Sequence, residues 1–253
     1  MTYVSVTKAT KAGGFDAAEG VNDQAVFQYD PEEATEFEIG VKMDLLDGSA
    51  RLNIAIFKTD FNNLQVSSYD PNANNSTGAY VTTNAGSATS QGIEIDGLYA
   101  VSDNLTVGAS VAYLQAEYNE FTSSCPISAI EAAKLNCTPV AGSTSGALEH
   151  DLAGFQIENS PEFTGTMFAE YFTTIGEMNA GIRFDINYKD DVMLSSSQDS
   201  NLTEEAYTKL NLNFTLNSAD DSWVASLGVF NITDEQPTTF AGEQAFFTRN
   251  LLC

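Results

Sequence analysis

Between positions 37 and 45 every second residue is apolar (Phe37, Ile39, Val41, Met43, Leu45), those between are polar or glycine (Glu38, Gly40, Lys42, Asp44), and Asp47-Gly48 follows. A period of two places the apolar set on one side of an extended chain and the polar set on the other, and Asp-Gly suits a tight hairpin. The pattern returns at Leu105, Val107, Ala109, Val111 and Tyr113, at Ala180, Ile182, Phe184, Ile186 and Tyr188, and at Leu210, Leu212, Phe214 and Leu216. A series of such segments predicts an all-β fold of two-faced strands.

The uninterrupted apolar runs are only a few residues long, whereas a transmembrane helix needs about 20. Strands hide from that test. Only alternate residues of a membrane-crossing strand face lipid, and about 9–11 residues suffice when the strand is tilted. The segment 35–45 has that length.

Reading strands by alternation predicts about ten, near 2–8, 35–46, 50–66, 79–101 (bent or broken), 105–118, 163–173, 179–189, 206–217, 223–231 and 244–253. The connections at 47–48, 102–104, 174–178 and 218–222 are short. Those at 9–33, 67–78, 119–162, 190–205 and 232–243 are long and polar. Strict alternation of short and long places all the turns on one rim and all the loops on the other. This is the habit of an up-and-down outer-membrane barrel, whose closure also satisfies every backbone group in lipid.

The faces agree. With Ile182, Phe184 and Ile186 against lipid, Arg183, Asp185 and Asn187 turn inward; with Leu210, Leu212 and Phe214 outward, Lys209, Asn211 and Asn213 turn inward. Lys42, Arg183, Asp185 and Lys209 are therefore candidates for a polar lumen. Tyr113, Phe163, Tyr171, Tyr188 and Trp223 suit interfacial girdles. Two stretches resist the pattern. Phe57, Thr59 and Phe61 lie opposite Leu52, Ile54 and Ile56, which implies a bulge or a strand risen above the bilayer, and 84–88 is too small and polar for a lipid face.

A formal net charge of −25, from 35 acidic and 10 basic side chains, argues against nucleic acid or an anionic membrane surface as a partner. The carboxylates gather between the strands, at 30–38, 190–191 and 220–221, where a solvated surface is expected. Cys125 and Cys137 share one polar segment. A disulfide stapling that loop in an oxidising compartment is the favoured reading, with free thiols and zinc as alternatives; Cys253 is expected to be unpaired. No secretory signal opens the chain and both ends read as strands, so the chain is expected to be a fragment.

No catalytic constellation is evident. The sole histidine, His150, lies in a predicted loop beside Glu149 and Asp151, where solvent exposure is the expectation. Acidic pairs such as Glu32-Glu33, Asp190-Asp191 and Glu204-Glu205 read as solvated and not as an acid/base dyad or calcium ligands. No glycine-rich phosphate loop joins a strand to a helix, and no cofactor is implied. The segment 127–135 has helical composition between the two cysteines, suited to a ligand-gripping lid or to a loop packed on itself.

Several ordered pieces resemble the β-barrel of TonB-dependent outer-membrane receptors. They are Lys11-Ala12-Gly13-Gly14-Phe15; Pro31-Glu32 leading into Glu36-Phe37-Glu38-Ile39-Gly40-Val41-Lys42; 52–60; and Asn84-Ala85-Gly86 with Gln91-Gly92-Ile93-Glu94. The segments 159–163 and 207–211 and Asn231-Ile232-Thr233-Asp234-Glu235 extend the likeness. The resemblance implies a barrel of about 22 strands filled by a plug, of which residues 1–253 would be one partial barrel domain, with the plug and N-terminal strands outside it. It implies outer-membrane lipid, a small-molecule ligand (a ferric siderophore first, or cobalamin, haem or a glycan) and the TonB energy-coupling complex, reached through the plug, as partners. The family's terminal aromatic is replaced here by Leu251-Leu252-Cys253. The competing readings are a passive porin and a soluble all-β adhesin or carbohydrate-binding module with a dry core.

Overall fold

The computed structural model describes residues 1–15, 28–70, 79–84, 86–125, 129–140 and 148–242. Nine strands make one sheet: β1 (Thr2–Lys11), β2 (Glu32–Leu45), β3 (Ala50–Asn62), β4 (Ser87–Ala100), β5 (Leu105–Glu120), β6 (Phe163–Ile175), β7 (Met178–Lys189), β8 (Tyr207–Asn217) and β9 (Val224–Val229). Each pairs antiparallel with its neighbours in that order. This is the predicted meander, and its topology puts the connections after β2, β4, β6 and β8 on one rim and the long ones on the other. The strand expected at 244–253 lies outside the described residues.

The register explains why the alternation matters. Val4, Ile39, Ile56, Ile93, Tyr113 and Phe163 stand opposite one another on six successive strands, and Phe184, Leu212 and Val229 do the same on the last three. They form a continuous apolar face that no described element covers: Ile39 is 51% exposed and Leu227 70%. A soluble sandwich buries such a face beneath a second sheet. Here Phe163 and Tyr171 bracket the face on β6, roughly 27 Å apart along a strand rising about 3.4 Å per residue, the scale of an outer-membrane apolar band once the strand is tilted.

The first tight turn takes more strain than Asp-Gly alone implies. Leu46, Asp47 and Gly48 all have positive φ (53°, 55° and 90°), a conformation that suits glycine and, more weakly, aspartate. Phe57, Thr59 and Phe61 require no bulge, because β3 pairs without a slip on both sides as far as Asn62. They instead rise on the polar face toward the loop rim, where the Thr59 hydroxyl donates to Glu36 Oε2 at 3.2 Å and Phe61 packs against a buried cluster. The chain then turns at Asn63 (φ 55°). The predicted strand 50–66 is therefore β3 followed by a hairpin, Gln65–Asp70 with Ala79–Asn84, and the predicted 79–101 divides into the second hairpin strand and β4. The register irregularity falls between Ser87 and Ala88.

The sheet itself has no dry core. Val66, Ala88, Tyr118, Phe121 and Leu152, with Phe61, Leu64, Phe155 and Ile157 packed against them, form a cluster at the loop rim, beneath the long connections.

Candidate functional site

Lys42, Arg183, Asp185 and Lys209 all stand on the polar face, opposite the apolar one in register. Arg183 Nη2 lies 2.9 Å from Asp185 Oδ1 and Nη1 lies 3.7 Å from Glu170 Oε2. Its guanidinium sits 3.9 Å from the centre of the Phe168 ring. Lys42 Nζ lies 5.5 Å from the Tyr3 ring centre and Lys209 Nζ 5.4 Å from that of Tyr207. Each cation is thus held over an aromatic ring, by an attraction that is larger where the ring displaces water. The structure places the four residues on one wall and does not gather them into one cluster.

Alternation did not reveal how the rings lie. Tyr3 is the direct cross-strand partner of Gly40, Phe57 of Gly92, Phe168 of Gly108 and Phe172 of Gly181. At Gly40 and Gly108 the ring occupies the space a side chain on the glycine would need, and at Gly92 and Gly181 it crowds that space together with the Tyr113 carbonyl and the Thr215 hydroxyl. Bulky rings on this face lie down across glycines, shielding backbone that a glycine leaves bare. The signal was present as glycines inside strands, where they mark close approach. It becomes readable only once the register is known.

The long connections knit into a cap at one rim. Asn84 clasps two other segments, accepting from Asp30 N at 2.8 Å and donating to Asp30 O at 3.0 Å and Asn63 O at 2.8 Å. Glu32 Oε2 accepts from Gln65 N at 2.9 Å. Asn231 accepts from Glu235 N and donates to Glu235 O, and Thr233 donates to Thr208 O at 2.7 Å. Several of the pieces that carry the resemblance are therefore loop-end fasteners.

The segment 190–205, read as a long polar connection, is largely inside the cap: Ser195, Ser196, Ser197, Gln198 and Asp199 are buried. Ser196 Oγ donates to Ser67 O at 3.3 Å and Gln198 Nε2 to Gln156 O at 2.9 Å. A short helix, α1 (Ala129–Lys134), falls where helical composition was noted. It is pinned there because Ser200 Oγ donates to Glu131 Oε2 at 2.8 Å and Lys134 Nζ reaches Glu131 Oε1 at 2.6 Å. The Lys134 and Ser200 bonds hold the Glu131 carboxyl below its ordinary pKa.

In this cap Cys125 and Cys137 are bonded, with Cα atoms 6.2 Å apart. Cys253 lies outside the described residues. A three-stranded sheet surrounds the disulfide, with Leu148–Asp151 between Thr122–Ser124 and Thr138–Pro139. His150, expected in solvent, is only 4% exposed, because alternation along its short strand turns it with Leu152 toward the apolar cluster. Among the described residues no group of three or more His, Cys, Asp or Glu is arranged to hold a metal ion. No described helix is long and apolar enough to cross a membrane, which says nothing of strands.

Residues 1–232 match the family model described as "TonB dependent receptor-like, beta-barrel". Over 127 residues, 49% of the chain, it is 31% identical to the probable TonB-dependent siderophore receptor PiuA of Acinetobacter baumannii, covering 16% of that protein. Over 98 residues, 39% of the chain, it is 36% identical to the metal-pseudopaline receptor CntO of Pseudomonas aeruginosa, covering 13% of it. The ferric yersiniabactin uptake receptor FyuA of Yersinia pestis superposes on 96% of the chain with a TM-score of 0.68 at 12% identity, the match taking up 31% of FyuA. The crystal structure of PiuA superposes on 94% with a TM-score of 0.63 at 21% identity, over 30% of its length. The chain therefore spans less than a third of each of these receptors. The exposed apolar face, the polar opposite face, the one-sided turns and the family match over most of its length agree: the chain belongs to the TonB-dependent receptors, as a stretch of their β-barrel in the outer membrane of Gram-negative bacteria, and not to a family of enzymes.

Proposed function

We propose that this chain is part of the wall of an outer-membrane receptor that takes up a scarce small-molecule ligand by energised transport, a ferric siderophore in the first instance. The observation that carries the reading is the agreement between sequence relatives and structural neighbours, which are named as siderophore or metal-complex receptors. In this reading the apolar face meets lipid. The polar face with Lys42, Arg183, Asp185 and Lys209 lines the lumen, and the cap carrying the Cys125–Cys137 disulfide lies on the outer, oxidising side. A polar wall keeps the lumen wet, since burying these charges in a dry interior is costly. The TonB energy-coupling complex acts through parts of the receptor outside this chain.

Uptake of radiolabelled ferric siderophore by the complete receptor, in a strain lacking its own uptake receptors, tests this. Uptake should require the energy-coupling protein and vanish in its absence. Uptake that persists without it supports the passive porin instead. The relative named for metal-pseudopaline makes non-ferric metal complexes the next ligands to try.

A further inference from the structure

We propose that His150 is a pH-sensitive latch of the loop cap: gain of a proton there releases the small disulfide-closed sheet from the apolar cluster on which it lies. The sheet is amphipathic. Phe121, Ser123 and Cys125 turn to one side of the first strand, His150 and Leu152 turn to the same side of its partner, and all five are buried. Thr122 and Asp151 on the other side are exposed. The buried side lies on Val66, Tyr118 and Phe155.

His150 is the polar ring in this apolar layer. Its cross-strand partner is Ser123, and neither ring nitrogen nor the Ser123 hydroxyl has a hydrogen-bond partner among the described residues. The ring stands edge-on to Phe155, 6.2 Å between centres. An unpartnered buried imidazole costs stability even when neutral, and a charged one costs more.

The charges around it do not offset this. Asp151 acts on the ring and favours the proton, but burial outweighs it and lowers the pKa of His150 from its ordinary 6.5. Glu149 and Asp151 flank His150 on its own strand and turn to the opposite face. The strand Thr122–Ser124 and the strand Thr138–Pro139 carry no ionisable side chain, and neither do 126–128 and 141–147. The hairpin contributes Val66, the segment after the strand contributes Leu152 and Phe155, and β5 contributes Tyr118, whose hydroxyl donates to the Glu158 carboxylate.

The sign follows. The released sheet, with His150 in water, binds the proton near the ordinary value, whereas the docked sheet binds it only at lower pH. Docking is therefore intact above pH 6.5 and weakens as pH falls from there toward the lowered value, by about tenfold in the release equilibrium per pH unit. The Cys125–Cys137 bond holds the two outer strands of the released sheet together, and the nine-stranded sheet, hydrogen-bonded on its own, is untouched. That release opens the path to the lumen rests on the proposed uptake role; the latch itself does not.

Hydrogen exchange of the complete receptor in lipid nanodiscs, without ligand, reads the latch independently of transport. Between pH 7.5 and 5.5, after correction for intrinsic rates, peptides covering 121–125 and 148–155 should gain in exchange, by up to about tenfold, while 163–189 stay unchanged. His150→Phe and His150→Gln should each abolish that gain. The imidazole resonance, assigned by its loss in His150→Gln, should titrate below 6.5. A gain that survives in either variant, no gain in the wild type, or a midpoint at or above the ordinary value overturns the proposal, whether or not the receptor imports a siderophore.

Discussion

Phe168 on β6 covers Gly108, its direct partner on β5, and the Arg183 guanidinium sits over the same ring, 3.9 Å from its centre. Glycine, aromatic ring and cation meet on the polar face. Room for the cation exists because the ring lies down, and the ring lies down because Gly108 has no side chain.

A side chain at Gly108 should therefore lift the ring. Gly108→Val should destabilise a complete barrel by about 1–3 kcal/mol through overpacking. In a Phe168→Ala background the same change should cost at least about 0.5 kcal/mol less. Urea unfolding of the four members of this cycle in lipid decides it, and strict additivity would refute this arrangement.

Phe184 and Asn187 lie on opposite faces of β7. If the apolar face meets lipid, Phe184→Arg near mid-bilayer should cost roughly 2–4 kcal/mol, while Asn187→Arg, toward a wet lumen, should cost far less. Refolding yields and unfolding midpoints of both variants in lipid vesicles measure the difference; equal losses count against the assignment of faces.

Reduction of the Cys125–Cys137 bond should loosen the cap and spare the barrel. In the chain-entropy model a loop of this size is stabilised by roughly 3 kcal/mol. After mild reduction, limited proteolysis should cut within 126–136, while the heat-dependent gel mobility of the barrel stays unchanged. Loss of the folded gel form would show that the bond supports the barrel itself.

Glu131 supplies a second, more acidic pH response. Its hydrogen bonds with Lys134 and Ser200 lower its pKa from 4.5, so the docking of α1 on Ser200 is at full strength above that value and is lost as pH falls through the lowered one. Glu131→Gln should remove this response while leaving the one at His150. Amide exchange over 129–137 between pH 5 and pH 3 checks the window.

The period of two defined most strands of the large sheet and their two faces, and the alternation of short and long connections defined the neighbour-to-neighbour meander and its rims, because a strand's side-chain alternation and a short turn are local properties. The segment at 37–45 shows the two faces in nine residues. Cys125 and Cys137, close in the chain, stand bonded in the structure. What the chain order did not convey is the outcome of packing between segments distant in sequence. Gly40, Gly92, Gly108 and Gly181 look like weak points in strands until the register lays a ring over each. Ser195, Ser196 and Ser197 look solvated, and their polar composition hides that Ser67, Gln156 and Glu131, from other connections, receive hydrogen bonds from residues in or beside that serine run. His150, between two carboxylates, looks exposed, yet the alternation of its short strand turns it inward with Leu152. Local periodicity decides which way a side chain points, but only the tertiary structure decides what it meets there.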